Sequence, residues 1–167
     1  MTGTILLIMA FILLVYNGVF VEKSADWELV VADPRSEVVY HCISAQPADV
    51  FTLSYRHSVS NSMVYGTFEL TEEGFIQPRT TTFSSFGPGL PWLDDSVVHI
   101  VEEGQIIVYH DEPPRESLRL WVTPLTGETL TLHGQTYPLS GLEEKPVLVE
   151  IAMRHAERRS PFSFRVW

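Results

Sequence analysis

The residues of this chain whose types could support chemistry are a histidine and a serine side by side, His57 and Ser58, at the end of an alternating run that begins at Phe51. A histidine within hydrogen-bonding reach of a serine is the pair that activates an oxygen nucleophile. Adjacent strand residues point to opposite faces of a sheet, so these two side chains should not meet. The chain also contains no Gly-x-Ser-x-Gly sequence. We therefore expect no catalytic residue, and we expect the His57 ring to bridge its strand and the later glycine-proline loop, near Gly87 or Gly89.

Metal-binding patterns are weak in this sequence. The six histidines form no His-x-His or His-x-x-x-His pair, and Cys42 is the single cysteine. Most acidic doublets fall at turns, where a carboxylate is ordinarily solvated, and only Asp94-Asp95 is placed to line a cation site. The sequence therefore predicts no bound metal and no other cofactor, with a cation-binding module kept as an alternative.

A stiff loop follows from Phe86 to Trp92, with two glycines and two prolines that restrict its backbone path. Apolar side chains on such a loop would lose little conformational entropy on association, so the loop is suited to contact. The alternative is that Trp92 folds back and caps one end of the domain. The candidate contact residues for a partner or a ligand are Tyr55, His57, Ser58, Gly87, Gly89, Leu90, Pro91 and Trp92.

The elements that must position these residues are predicted to be strands. Short apolar or alternating runs recur between turn signals, which is typical of an all-β chain. With no convincing amphipathic helix, an antiparallel sandwich or a partly closed barrel covers the apolar faces best. The runs are 27–32, 37–43, 50–57, 63–70, 75–83, 97–101, 105–109, 118–123, 129–132 and 147–153.

The N-terminus differs from the rest, because no charge occurs from Ile5 to Val21. As a helix this segment would reach about 25 Å, near the lower limit for crossing a bilayer. A secretory signal peptide remains the alternative, but the basic start and the small residues before a cleavage point are missing. We expect residues 1–23 to form an uncleaved transmembrane helix and residues 24–167 to form a single periplasmic β-domain.

The net charge of −10 argues against a nucleic-acid partner, since phosphate binding needs a basic surface. The C-terminal segment is nevertheless locally basic. It is predicted either to face the membrane or a partner, or to be a final strand with solvated side chains; its cations are Arg154, Arg158, Arg159 and Arg165.

Two motifs together resemble the bacterial family called domain of unknown function 1850: Phe51-x-Leu53-x-Tyr55-x-His57-Ser58-Val59, and the later Ser85-Phe86-Gly87-Pro88-Gly89-Leu90-Pro91. The family pattern usually has a glutamate near Tyr65 and Gly66, which this chain lacks, although Glu69 lies on the same predicted strand.

The resemblance implies a small anchored or exported protein associated with tripartite ATP-independent periplasmic (TRAP) transporters of the TAXI class. It supplies no catalytic residue. The expected function is therefore that of an accessory subunit in the bacterial inner membrane, whose β-domain contacts the permease or its solute-binding protein. A periplasmic module that binds a small molecule is the alternative, and a hydrolase is a third class to be tested.

Overall fold

The computed structural model describes residues 27–85, 99–102 and 104–156, and every regular element in these ranges is a strand. No helix in the same ranges has the length and apolar character needed to cross a membrane. The predicted transmembrane segment at 1–23 lies outside the described residues. The strands are β1 Trp27–Ala32, β2 Val39–Ala45, β3 Val50–Arg56, β4 Met63–Leu70, β5 Ile76–Phe83, β6 His99–Glu102, β7 Gln105–Tyr109, β8 Ser117–Val122, β9 Thr129–Leu132, β10 Gln135–Pro138 and β11 Val147–His155.

The strands form two antiparallel sheets. The small sheet has the order β2-β1-β11-β8, and the large sheet has the order β10-β9-β3-β4-β5-β7-β6. Apolar side chains of both sheets share one core, so the sheets are packed face to face. The all-β fold is confirmed, and the chain takes the sandwich arrangement of the two that were predicted.

Most strands were placed by their alternating pattern, and β1, β4, β7 and β9 have the predicted bounds. One strand was missed. The segment that forms β10 has only four residues and ends in Pro138, and proline lowers the strand signal because it cannot donate a ladder hydrogen bond. In the structure β10 is at the edge of the large sheet, where proline is tolerated.

The main core lies between the two sheets. Leu29 and Ile151 of the small sheet and Phe51 and Leu130 of the large sheet are each fully buried within it. Burying one such side chain stabilises the fold by about 1.5–3 kcal/mol, so this layer is the principal source of stability.

A second cluster lies on the large sheet alone. Val64, Phe83 and Val108 are buried there, and Tyr55 and Ile106 pack against them. The register pairs Tyr55 with Val64 and Phe83 with Ile106, so these side chains form rows across adjacent strands. Among the described residues, no side chain of the small sheet belongs to this cluster.

The sandwich has two different ends, which we name the loop end and the terminal end. At the loop end β1, β3, β5 and β8 finish, and the connections 33–38, 57–62, 123–128 and 139–146 lie there. At the terminal end β1 begins with Trp27 and β11 finishes with His155, whose rings stack with centroids 3.7 Å apart. The β4–β5 turn at Gly74 closes against the Trp27 ring.

Candidate functional site

The connection between β3 and β4 is a tightly bonded turn that carries the His-Ser-Val motif. The backbone N–H of His57 donates to the carbonyl of Ser62 at 2.8 Å, and the N–H of Asn61 donates to the carbonyl of His57 at 2.8 Å. Asn61 has a φ of 53°, in the left-handed region where asparagine is better tolerated than most residues. The turn is therefore fixed by its own backbone.

The His57 side chain is buried, with 7% of its surface exposed, and it faces the inside of this turn. Its Nδ1 accepts the backbone N–H of Ser60 at 3.3 Å and lies 3.0 Å from the Ser60 hydroxyl. An Nδ1 that accepts an N–H carries no proton, so the hydrogen-bond network assigns the proton of the neutral ring to Nε2. The ring thus holds the turn together through Ser60.

The serine that meets the histidine is Ser60, whereas Ser58 is exposed. The Ser60 hydroxyl also lies 2.7 Å from that of Ser62, which extends the polar contact along the turn. Sequence reasoning missed Ser60, although the spacing His-x-x-Ser is one that a turn brings together. This geometry stabilises the turn, because the His57 Nδ1 that lies near the Ser60 hydroxyl also accepts the Ser60 backbone N–H.

A second buried polar residue lies on the neighbouring connection between β8 and β9. Glu128 has 7% of its surface exposed, and its carboxylate accepts a hydrogen bond from the Thr126 hydroxyl. The other carboxylate oxygen lies 3.4 Å from the backbone nitrogen of Thr123. A buried carboxylate is costly unless it is hydrogen-bonded, and here the turn supplies the donors. Sequence reasoning missed Glu128, because Thr126-Gly127-Glu128 has the composition of a solvated turn.

These two connections are bonded to each other at the end of β3. The backbone N–H of Arg56 donates to the carbonyl of Thr126 at 2.8 Å. Two residues earlier on β3, the hydroxyls of Ser54 and its register partner Thr129 are 2.7 Å apart. Among the residues whose burial is described, His57 and Glu128 are the buried polar or charged ones. The loop end therefore concentrates the buried polar groups of the sandwich.

Tyr55 precedes this site and belongs to the second cluster. Its side chain packs against that cluster, and burial raises the pKa of its phenol. The sequence proposed Tyr55 as a contact residue beside His57. In the structure its ring supports the sheet beneath the His57 turn.

Exposed apolar side chains also occur at the loop end. Leu125 is 90% exposed, Val59 is 71% exposed and Trp121 is 54% exposed, with the guanidinium of Arg35 lying 5.3 Å from the Trp121 ring centroid. We use the name apolar patch for the exposed large apolar residues at the loop end, including those at the start of β2. Its members are Val38, Val39, Val59, Trp121 and Leu125.

The predicted site is only partly within the described residues. The loop residues Gly87, Gly89, Leu90, Pro91 and Trp92 lie outside them, although the connection that contains them leaves β5 at the loop end. Arg158, Arg159 and Arg165 of the predicted basic tail also lie outside. Arg154 is described; it is exposed near the terminal end and stands opposite Glu28 in the sheet register.

Glu69 does not occupy the place of the family's glutamate. It stands opposite Val50 toward the terminal end of β4 and forms an ion pair with Arg79 at 2.7 Å. Tyr65, by contrast, pairs with Ser54 nearer the loop end. Within the described parts of the chain, no group of three or more His, Cys, Asp or Glu side chains is arranged to hold a metal ion.

The comparison with known families agrees with the position of this site. The family described as domain of unknown function (DUF1850) matches residues 51–139, just over half of the chain. The match begins within β3 and ends just after β10, so it contains the His57 turn, the second cluster and Glu128. The strands β1, β2 and β11 of the small sheet lie beyond it. No curated protein and no solved structure matches the chain.

Proposed function

Because the chain belongs to the DUF1850 family, we propose that it is a non-catalytic accessory subunit of a TAXI-class TRAP transporter. In this proposal residues 1–23 anchor the protein in the bacterial inner membrane, and the β-sandwich stands in the periplasm. The sandwich contacts the permease or the solute-binding protein of the transporter.

The observation that carries the proposal is the apolar patch. Leu125 and Val59 are among the most exposed apolar side chains described, and each is held on a hydrogen-bonded turn of the family segment. Large apolar side chains left exposed together can mark a protein contact surface. The buried polar groups beneath it serve to fix the turns, since His57 and Glu128 both bond to the turn residues around them.

The proposed anchor is supported by composition. The segment from Ile5 to Val21 has no charged residue and is continuously apolar over most of its length, as a helix in contact with lipid requires. Five residues, 22–26, then separate it from β1. The sandwich would therefore stand close to the membrane surface.

Co-purification tests the proposal directly. The full-length protein, tagged at its C-terminus, is extracted in mild detergents from cells that express the transporter. We expect the permease, the solute-binding protein or both to be recovered with it in stoichiometric amount. Their absence in several detergents, from cells in which both are detected, would refute the accessory-subunit function. The matched control is an unrelated tagged single-pass protein of similar abundance.

A thermal-unfolding series separates this function from that of a small-molecule module. A ligand that binds only the folded state at 100 times its Kd stabilises it by about 2.7 kcal/mol, a clear rise in Tm. We expect no such rise across periplasmic metabolites and divalent cations. A saturable rise with one of them would favour the binding module.

A further inference from the structure

Five threonines lie in register across the large sheet. Strand pairing places Thr136 of β10 opposite Thr131 of β9, and Thr131 opposite Thr52 of β3. Thr52 is in turn opposite Thr67 of β4, and Thr67 is opposite Thr80 of β5. Directly opposite residues of adjacent strands have their side chains on the same face of the sheet. The five side chains therefore form one row across five strands.

This row is on the outer face of the sheet. Its member Thr52 alternates with Phe51 and Leu53, which both pack in the main core, and successive strand residues point to opposite faces. The row is extended by Tyr109 of β7, which is opposite Thr80. A second row lies two residues along each strand, and its members are Thr129, Ser54, Tyr65, Thr82 and Ile107. We name the two rows together the hydroxyl face.

The hydroxyl face is continuous and has no charged member. The hydroxyl oxygens of neighbouring strands are 2.6 Å apart at Thr67 and Thr80, and 2.7 Å apart at Ser54 and Thr129. Every member except Ile107 carries a hydroxyl, although the whole chain has 21 acidic and 11 basic residues. With adjacent strands about 4.8 Å apart, the first row extends about 24 Å. The face can therefore contact several units of a long, uncharged ligand.

Some hydroxyls of this face have no partner within the described residues. Cross-strand hydroxyl pairs stabilise a sheet, so those that bond to each other have a structural role. The hydroxyls of Thr52 and Thr82 and the phenols of Tyr65 and Tyr109, by contrast, bond to no residue in the described ranges. Tyr65 is 39% exposed and Tyr109 is 44% exposed. These four side chains are therefore open to an external ligand.

The composition of the hydroxyl face selects the chemistry of its ligand. A hydroxyl both donates and accepts hydrogen bonds, so an array of hydroxyls matches a ligand that also does both. An ionic ligand would lose its hydration here and meet no opposite charge. Protein interfaces are apolar at their buried centre, whereas the one aliphatic member of this face is Ile107. The exposed phenol rings add flat, electron-rich surfaces for C–H groups. Sugar rings have both hydroxyls and C–H faces.

The hydroxyl face is also stiff. Threonine is branched at Cβ, so few rotamers are open to it in a strand, and each strand that carries it is paired on the sheet. Side chains that are already ordered lose little entropy when a ligand binds. A weak contact at each hydroxyl can therefore add up along the row.

We infer that the hydroxyl face binds an uncharged glycan strand that lies across the strands of the large sheet. The sugar hydroxyls exchange hydrogen bonds with Thr52 and Thr82, and the C–H faces of sugar rings stack on Tyr65 and Tyr109. All members of the face lie within residues 51–139, the segment that matches the family. The inference goes beyond the accessory function and does not depend on it, because the face is separate from the apolar patch.

The first experiment measures binding by the full-length protein in nanodiscs, which avoid sugar-based detergents. The probes are a soluble chitin oligosaccharide, a soluble cellulose oligosaccharide and purified cell-wall sacculi. We expect saturable binding to at least one, by calorimetry for the oligosaccharides and by co-sedimentation for the sacculi. Binding to sacculi alone would identify a wall polymer as the source, and binding to an oligosaccharide would show that a free glycan is sufficient. Binding to none of them, or binding that high salt abolishes, would overturn the inference.

The second experiment tests the face with two double variants. Thr52→Val with Thr82→Val removes two hydroxyls that have no internal partner and keeps the branched shape. Each lost hydrogen bond is worth about 0.5–1.5 kcal/mol, so we expect the Kd to rise about tenfold. Tyr65→Ala with Tyr109→Ala removes both exposed rings and should raise the Kd by at least as much. Thermal unfolding confirms that each variant is folded at the temperature of the assay.

The matched controls change residues away from the hydroxyl face. Ser44 is exposed on β2 of the small sheet and Phe75 is exposed at the terminal end, so Ser44→Val and Phe75→Ala should alter the Kd less than about twofold. Unchanged binding by both double variants, or equal losses in the controls, would place the sugar elsewhere and overturn the inference. A doubled mass without sugar that the tyrosine variant abolishes would identify a second copy as the occupant, and would overturn it as well.

Discussion

The two ends of the sandwich are covered by different kinds of side chain. The terminal end is closed by aromatic packing, with Trp27 stacked on His155 and lying against Gly74. The loop end is closed by buried polar groups, His57 and Glu128, while Val59 and Leu125 stay in water. The comparison indicates that side-chain packing at the terminal end mainly stabilises the fold. At the loop end, the buried polar groups mainly fix the turns that carry Val59 and Leu125.

The largest expected effect comes from adding one methyl group at the terminal end. Gly74 has a φ of +85°, and a Cβ there would lie 2.7 Å from the Trp27 ring, on which the His155 ring is stacked. We expect Gly74→Ala to lower the free energy of unfolding by about 3 kcal/mol, from the left-handed backbone and from overpacking together. Urea denaturation measures the change.

A matched glycine lies at the loop end. Gly127 has a φ of +62°, and a Cβ there would meet nothing within 4 Å. Gly127→Ala should therefore cost only the backbone term, about 1 kcal/mol. Equal losses in the two variants would show that the Trp27 packing is not what distinguishes the ends.

The next effect concerns the brace of the loop end. His57→Ala removes the acceptor of the Ser60 N–H and leaves a cavity at a buried site, so we expect a loss of about 2–3 kcal/mol in the free energy of unfolding. Ser58→Ala, at the exposed neighbour, should change it by less than about 0.5 kcal/mol. A Ser58 variant as unstable as the His57 variant would contradict the bracing role of the histidine.

A smaller, pH-dependent effect belongs to the outer face of the small sheet, between the ends. The Arg119 side chain, with help from Ser117, lowers the pKa of Glu150 by hydrogen bonding to its carboxylate. A carboxyl whose pKa is lower in the folded state stabilises the fold above its unfolded pKa, and that stability is lost as the pH falls through the folded pKa.

Removing the Arg119 guanidinium should therefore make the free energy of unfolding depend less on pH on the acid side. Because Arg119 is well exposed and water screens the pair, Arg119→Met should cost only about 0.5 kcal/mol at pH 7, with the difference vanishing between about pH 5 and pH 3. Urea midpoints measured across this range test it. A difference that grows as the pH falls would contradict the assignment.

The smallest expected effect on stability is at the apolar patch. Leu125 is 90% exposed, so Leu125→Ser should change the free energy of unfolding by less than about 0.5 kcal/mol in either direction. Thermal unfolding of the variant measures this. A loss of more than about 1.5 kcal/mol in the free energy of unfolding would mean that Leu125 stabilises the fold. The two ends would then differ less in how their apolar side chains contribute to stability.

Alternation predicts most of the strands, because in a sandwich each strand has one buried face and one solvent-exposed face. The pattern of Phe51, Leu53 and Tyr55 places all three on the inner side of β3, and the structure agrees. The pairing of strands into sheets was not predictable. Strand order depends on contacts between segments that are distant in sequence. No local pattern in β1 or β11 indicates that these two strands are neighbours.

The buried polar residues show where sequence reasoning ends. Ser60 and Glu128 lie in segments rich in serine, threonine and glycine, which indicate turns but do not say which side chains face inward. Inward orientation followed from the bond between Arg56 and Thr126, which joins two connections about seventy residues apart and is invisible to local periodicity. The exposure of Leu125 was missed for the same reason.

The stacking of Trp27 on His155 has a consequence for how this fold can be rearranged. Because the first and last strands are neighbours, a short peptide joining 156 to 27 would close the chain into a ring without crossing the core. New termini could then be cut at the open turn around Gly141, where an added side chain would meet nothing. The same adjacency makes the sandwich a cassette that can be inserted into a surface loop of another polypeptide, with entry and exit side by side.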